Sequence, residues 1–184
     1  MNKRLDEGFV LWFTGLPCSG KTTVADKLAE ELRNRDKNTE RLDGDIVRKS
    51  LTSDLGFTKK DRDENIKRIT FVTKLLSRNG VATLVTFISP YIEKRQAARE
   101  ETTNFIEVFV DCPVEECEKR DVKGMYKLAR EGKIQDFTGV SDPYEVPENP
   151  EIIIKTAEET VDESSDKILE YLVKQGYIKE GGSE

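Results

Sequence analysis

The chain has 184 residues, with 30 Lys and Arg against 36 Asp and Glu, a formal charge of −6, and apolar and charged fractions of 36% each. This length fits one domain with a real core, and the acidic balance argues against bulk nucleic-acid binding. The absence of histidine excludes Ser–His, Cys–His and His-ligated metal chemistry, and the three cysteines (Cys18, Cys112, Cys117) form no C-x-x-C pair and no disulfide framework.

A reducing, cytoplasmic setting without a membrane partner is therefore expected. The apolar run Phe9–Phe13, preceded by Asp6 and Glu7, is too short for a signal peptide or for a spanning helix of about 20 residues. It reads as a first strand. Next comes Gly15-Leu16-Pro17-Cys18-Ser19-Gly20-Lys21-Thr22, a full G-x-x-x-x-G-K-[ST] phosphate loop. Its glycines let backbone N–H groups face an anion, the following helix N-terminus adds partial positive charge, Lys21 reaches the β- and γ-phosphates, and Thr22 offers a hydroxyl to Mg²⁺. Cys18 reads as a small buried filler. Thr22–Leu32 is predicted helical, with Val24, Ala25, Leu28, Ala29 and Leu32 on one stripe.

Thr39–Leu42 is a weaker strand, followed by Asp43-Gly44-Asp45. If extended, Asp43 and Asp45 share one face at the carboxyl end of the strand, where open α/β sheets bind ligands. The pair can hold a magnesium water shell, accept a proton from an acceptor hydroxyl, or simply form a solvated turn. From Arg62, a helix at about 100° per residue places Asn65, Ile66, Ile69, Val72 and Leu76 with Arg62 on one inward stripe. A buried arginine needs an anionic partner, either a substrate phosphate or sulfate or an internal bridge to Asp43 or Asp45. Phe57 and Phe137 stand in polar, glycine-bearing loops, as aromatic clamps for a purine or as plugs at a core edge.

Ala82–Ile88, Phe105–Val110 and Ile152–Ile154 read as further strands, and Val161–Lys174 as a helix with Val161, Ile168, Leu169 and Leu172 inward. Strands alternating with helices predict an α/β fold, a parallel sheet covered on both faces. Arg120–Pro150 interrupts this alternation with three glycines, three prolines and at most a short helix near Met125–Arg130. Such a segment inside one domain reads as a lid at about 120–150. The tail 180–184 reads as frayed.

Taken together, the segments resemble the adenylyl-sulfate kinase family of phosphate-loop kinases, from about Gly8 to Leu172. The residues that carry the likeness are Gly15–Thr22, Leu42–Asp45 with Arg48, Asp54–Phe57, Asp61-Arg62 with Asn65 and Arg68, Phe87-Ile88-Ser89-Pro90-Tyr91, Phe105–Asp111, Arg120–Gly124, Phe137-Thr138-Gly139 and Pro143-Tyr144-Glu145. Phe-Ile-Ser-Pro-Tyr and Phe-Thr-Gly in this order are its most specific parts. The resemblance implies Mg²⁺-dependent transfer of the ATP γ-phosphoryl group to the 3′-hydroxyl of adenylyl sulfate. ATP would lie on Gly15–Thr23 and Arg120, with Thr22 and Asp43 serving the metal. The acceptor would lie among Asp43, Asp45, Arg48, Phe57, Arg62, Asn65, Ile88, Ser89, Lys123 and Phe137. Arg48, Arg62 and Asn65 would hold its phosphosulfate, and Phe57 and Phe137 would sandwich its adenine. Lys21, Asp43, Asp45 and Ser89 form the implied catalytic set, with Asp45 the preferred base. Ser89 has no adjacent base to activate it, so substrate contact is favoured over a phosphoryl-enzyme role. Ile46 and Pro17-Cys18 depart from the common family pattern, and the connection Gln96–Asn104 looks short. The resemblance also suggests a homodimer and coupling to an ATP sulfurylase. The alternative readings are a kinase of the nucleoside monophosphate type and a non-catalytic nucleotide-binding module.

Overall fold

The computed structural model describes residues 3–180, so the tail 181–184 lies outside the described residues. Five strands, β1 (Phe9–Thr14), β2 (Thr39–Asp43), β3 (Ala82–Thr86), β4 (Phe105–Asp111) and β5 (Ile152–Lys155), form one sheet in the order β2-β3-β1-β4-β5. Every neighbouring pair is parallel. Helices α1 (Lys21–Asn34), α2 (Gly44–Val47), α3 (Lys59–Ser77), α4 (Ile92–Glu101), α5 (Val114–Lys119), α6 (Met125–Arg130) and α7 (Val161–Lys174) supply the crossovers and the covering layers. No described helix is long and apolar enough to cross a membrane.

β1 is buried along its whole length because both of its faces are covered. Phe9, Leu11 and Phe13 join one core with α1 and α7 through Leu28, Leu32, Ile168 and Leu172. Val10 and Trp12 point the other way, into a second core with Ile66, Ile69 and Ala98 of α3 and α4. This is period-2 alternation inside a continuous apolar run, as a doubly covered parallel strand requires. The predicted α1 stripe is buried in full. α7 is closed at its start by a capping box between Thr160 and Glu163, but Val161, expected inward, is exposed.

α3 differs in detail from its predicted stripe. Arg62, Asn65, Ile66 and Ile69 are buried, while Val72 and Leu76 are only partly covered and Thr70, Thr73 and Ser77 are buried instead. The helix is rotated so that its last turn, at Ser77, meets Gly8, the residue before β1. A Cβ at Gly8 would lie 2.1 Å from the Ser77 carbonyl oxygen and 2.7 Å from that of Val81. Contact this close leaves no room for a side chain at position 8, which a hydrophobic stripe cannot reveal. The connection expected at Gln96–Asn104 begins as the last turns of α4, a charged helix with little apolar stripe to signal it.

Gly8→Ala should therefore destabilise the fold by about 2–3 kcal/mol through overpacking against backbone that cannot move aside. Urea unfolding should show a lower midpoint with an unchanged slope. A change below about 0.5 kcal/mol, the usual range of innocuous substitutions, would contradict this packing.

Candidate active site

The phosphate loop runs from the carboxyl end of β1 into α1, with Gly20 capping the helix at φ 95°, a left-handed conformation that favours glycine. The Lys21 ammonium is buried and donates to the Gly15 carbonyl at 2.9 Å, the Leu16 carbonyl at 2.6 Å and Ser19 Oγ at 3.2 Å. Burial lowers its pKa to about 8. Cys18 is exposed at the loop tip with φ 61°, not buried as expected. Its thiol pKa is pushed up by partial burial and by the Asp121 carboxylate, so it is no activated nucleophile. A cleft of about 520 Å³ beside the loop is lined by residues Cys18 to Val24 with Arg120, Thr156 and Thr160. Thr23 belongs to that lining. A larger groove of about 920 Å³ lies between α3 and α4, among Lys59, Ile66, Lys67, Lys94 and Ala98, and touches none of the loop residues.

Asp43 and Asp45 do not share a strand face. β2 ends at Asp43, and the chain turns at once into α2, whose N-cap is Asp43 itself. The buried Asp43 carboxylate accepts from Thr22 Oγ1 at 2.9 Å, Thr86 Oγ1 at 3.0 Å, Arg41 at 3.1 Å and the Asp45 N–H at 3.0 Å. Burial alone would raise its pKa. The bonds from Thr22, Thr86 and the Asp45 N–H, with the Arg41 charge, outweigh burial and hold it below the usual carboxylate range. Asp45 is exposed and pairs with Lys123 at 3.1 Å.

Arg62 and Asn65 lie inward as the pattern requires, but Arg62 bridges to neither Asp43 nor Asp45. Its Nε donates to the Phe57 carbonyl at 2.8 Å, and its two terminal nitrogens donate to Thr138 Oγ1 and the Asp136 carbonyl. Asp142 stands 3.9 Å from Nε as its nearest carboxylate. One guanidinium thus ties the loop carrying Phe57 to the loop carrying Phe137. Asn65 Oδ1 is buried without a hydrogen-bond partner. Arg48 donates to the Leu55 and Gly56 carbonyls at 3.3 and 3.0 Å, and its guanidinium lies 4.4 Å from the centroid of the Phe57 ring. Phe57 itself is 60% exposed, so it plugs no core. Phe137 is half-buried, edge-on to Tyr126 at 4.9 Å, in a small cluster with Cys112, Cys117, Val140 and Leu16 of the phosphate loop.

Ser89 is buried with φ 46°. Its hydroxyl accepts from the Trp12 indole at 3.1 Å, and the preceding Ile88 carbonyl accepts from Thr14 at 2.7 Å. From the segment 120–150, the Tyr126 hydroxyl donates to the Pro17 carbonyl at 2.9 Å, and Tyr144 bonds Thr14 at 2.9 Å. Arg120 donates to the Thr156 carbonyl at 2.8 Å, and the Thr156 hydroxyl donates to the Ser19 carbonyl at 2.7 Å.

A family profile described as Adenylylsulphate kinase matches residues 7–155. The chain belongs to the adenylylsulphate kinase family. It is 56% identical over 175 residues to the adenylyl-sulfate kinase of Halothermothrix orenii, covering 95% of each chain. It is 64% identical over 162 residues to a probable adenylyl-sulfate kinase of Pseudomonas aeruginosa, covering 88% of this chain and 76% of the relative. Its fold superimposes on the APS kinase of Mycobacterium tuberculosis, solved in complex with AMPPNP and APS, with a TM-score of 0.86 and 40% identity over 90% of this chain and 98% of the other.

As a kinase of this family, the chain carries polar positions at the cleft that pattern reading missed. Trp12, Thr14 and Thr86 sit in strands and look like ordinary buried residues, and Thr156 lies just beyond β5 with no motif around it. Tyr126 was legible only as a member of the irregular segment, and Tyr144 only as part of the Pro143-Tyr144-Glu145 likeness, without its bond to Thr14.

Nucleotide phosphates favour the charged form of Lys21, whose pKa without them is about 8. Phosphate binding should therefore take up a proton above that pH, and affinity should fall as pH rises, by up to about tenfold per unit. Titration of ADP in EDTA between pH 7 and 9.5 should show this decline, and Lys21→Met should flatten it along with weakening binding. A parent affinity constant across the range would contradict the assignment.

Proposed function

We propose that this chain transfers the γ-phosphoryl group of ATP to the 3′-hydroxyl of adenylyl sulfate, releasing ADP and 3′-phosphoadenylyl sulfate, the reaction of sulfate assimilation. The observation that carries the reading is the Arg62 tie: it sets two aromatic loops side by side, next to Leu16 of the phosphate loop. An exposed Phe57 and a half-buried Phe137 offer flat apolar surface for the acceptor's adenine. Arg48, Arg62 and Asn65 line the same side and hold the phosphosulfate, while Ile88 and Ser89 form the pocket floor.

ATP lies on the loop Gly15–Thr23, with the Lys21 ammonium on its β- and γ-phosphates and Arg120 beside the base. Thr22 Oγ1 and Asp43 Oδ2, 2.9 Å apart, are hard oxygen donors that suit Mg²⁺. No described group of three acidic, Cys or His residues could hold a metal by itself. That fits an ion carried largely by substrate phosphates, with Thr22 and Asp43 as its protein contacts. Bound there, the metal would neutralise charge on the transferring phosphate.

Asp43 is poorly suited to be a base, because its oxygens already accept several hydrogen bonds and its pKa is lowered. Asp45, two residues further on, has a carboxylate that among the described residues is engaged only by the exposed Lys123. It is the better general base for the 3′-hydroxyl, and Lys123 reports to it from the lid. Ser89 contacts substrate: its hydroxyl is held by Trp12, with no base beside it. We further infer a single domain with a lid at about 120–150, which excludes water from the transferring group. The three free cysteines suit a cytoplasmic enzyme. The homodimer and the coupling to ATP sulfurylase rest on the family resemblance.

Asp45→Asn should lower kcat by about 10²–10⁴, the usual worth of a general base, with both KM values near those of the parent. Asp43→Asn should instead raise the magnesium concentration needed for half-maximal rate. Restoration of the Asp45→Asn rate by excess magnesium would reverse the two roles.

A further inference from the structure

Among the described residues, one buried cation takes no part in the proposed phosphoryl transfer. Arg95, on α4, is 2% exposed, and its ion-pair partner Glu107 on β4 is 4% exposed, with Nε and Oε1 2.7 Å apart. Its other two nitrogens leave the pair. One donates to the Ser89 carbonyl at 2.6 Å, the other to the Glu145 carbonyl at 2.8 Å. Glu107 is steadied in turn by Arg99 at 3.5 Å, and its own backbone N–H donates to Glu151 at 2.7 Å. Arg99 forms a bidentate pair with Glu151 at 2.6 and 2.8 Å. The guanidinium therefore joins three separate segments: the sheet, the loop after β3, and the return of the lid.

A buried ion pair is weak as a stabilising device, because desolvation offsets most of its attraction. Packing alone would be served as well by two apolar residues. What apolar residues cannot do is hold two carbonyls at fixed positions. One of those belongs to Ser89, whose left-handed backbone, at φ 46°, is unfavourable for a residue with a side chain and persists only when its surroundings fix it. The other belongs to Glu145, whose N–H donates to the Pro90 carbonyl at 2.9 Å and whose carboxylate accepts from the Ile92 N–H at 2.7 Å. The loop and the lid return are thus laced together around Arg95.

We propose that Arg95 is a positioning residue for the acceptor: its guanidinium sets the Ile88–Ser89 pocket floor and the lid return in one geometry, using the Glu107 pair as its anchor on the sheet. The inference rests on the reading of Ile88 and Ser89 as acceptor pocket. Arg95 touches no substrate itself.

The test uses the full chain and steady-state kinetics with both substrates varied. Arg95→Met combined with Glu107→Leu removes both charges at once and avoids stranding either. It should melt near the parent temperature, raise the KM for adenylyl sulfate about tenfold, and leave the KM for ATP within about twofold. Arg95→Lys keeps the pair but loses the fork, and should shift the acceptor KM in the same direction without needing the double variant to fold. Ile88→Ala serves as the reference for the pocket. If Ile88→Ala raises the acceptor KM while Arg95→Lys and the double variant leave it within twofold, the positioning role is overturned and the pocket reading stands. If Ile88→Ala leaves the acceptor KM unchanged, the pocket reading fails and the proposal falls with it. A loss of melting temperature in Arg95→Lys with both KM values unchanged would make the arginine structural only.

Discussion

Asp43 receives hydrogen bonds from both sides of the cleft: from Thr22 at the first turn of α1, from Thr86 at the end of β3, and from the backbone opening α2. A buried carboxylate left without such partners would cost several kcal/mol or take up a proton. The requirement fixes three elements relative to one another. The start of α1, the end of β3 and the helix bearing Asp45 cannot move apart without stranding this charge. The geometry of phosphoryl transfer, in which catalysis is mainly positioning and charge neutralisation, follows from that constraint.

The segment 120–150 is fastened to this frame at points that differ in strength. Tyr126 and Phe137 pack with Leu16, Cys112 and Cys117, and Arg62 donates to the Asp136 carbonyl and Thr138. These contacts are buried or half-buried and have fixed geometry. The Lys123–Asp45 pair, by contrast, joins two exposed side chains, and pairs of that kind are worth little. The Lys123–Asp45 contact is thus the weakest of these ties, while the return of the segment is laced to α3 and α4 through Arg62 and Arg95. Leu16 of the phosphate loop packs in the same cluster as Phe137, so the loop and this segment share one apolar contact.

Much of the fold was legible before any coordinates. The phosphate loop needs a strand before it and a helix after it, and the apolar runs Phe9–Phe13, Phe105–Val110 and Ile152–Ile154 have the length and neighbours of buried parallel strands. The inward placement of Arg62 and Asn65 followed from helical spacing alone. The partners of Arg62 did not, since two of them are backbone carbonyls from loops about 5 and about 74 positions away, and spacing carries no information on loop closure. Asp43 and Asp45 looked like a facing pair because period-2 reasoning assumes that the strand continues. The N-cap preference of aspartate ends it instead. Cys18 was misplaced for a similar reason: the backbone at φ 61° turns the side chain outward, and composition does not encode that turn.

The central claim is that the cleft formed by the phosphate loop, Asp45 and the two aromatic loops accepts adenylyl sulfate as its phosphoryl acceptor. Coupled measurement of ADP release, with ATP and magnesium saturating and either adenylyl sulfate or AMP as acceptor, tests it most directly. The account predicts rapid, saturable release with adenylyl sulfate and a product carrying its new phosphate on the 3′-hydroxyl, with AMP turning over at least about 10²-fold more slowly, since the site's buried cationic and amide groups lose a partner. Equal or faster release with AMP, or phosphate added elsewhere on the acceptor, would contradict it.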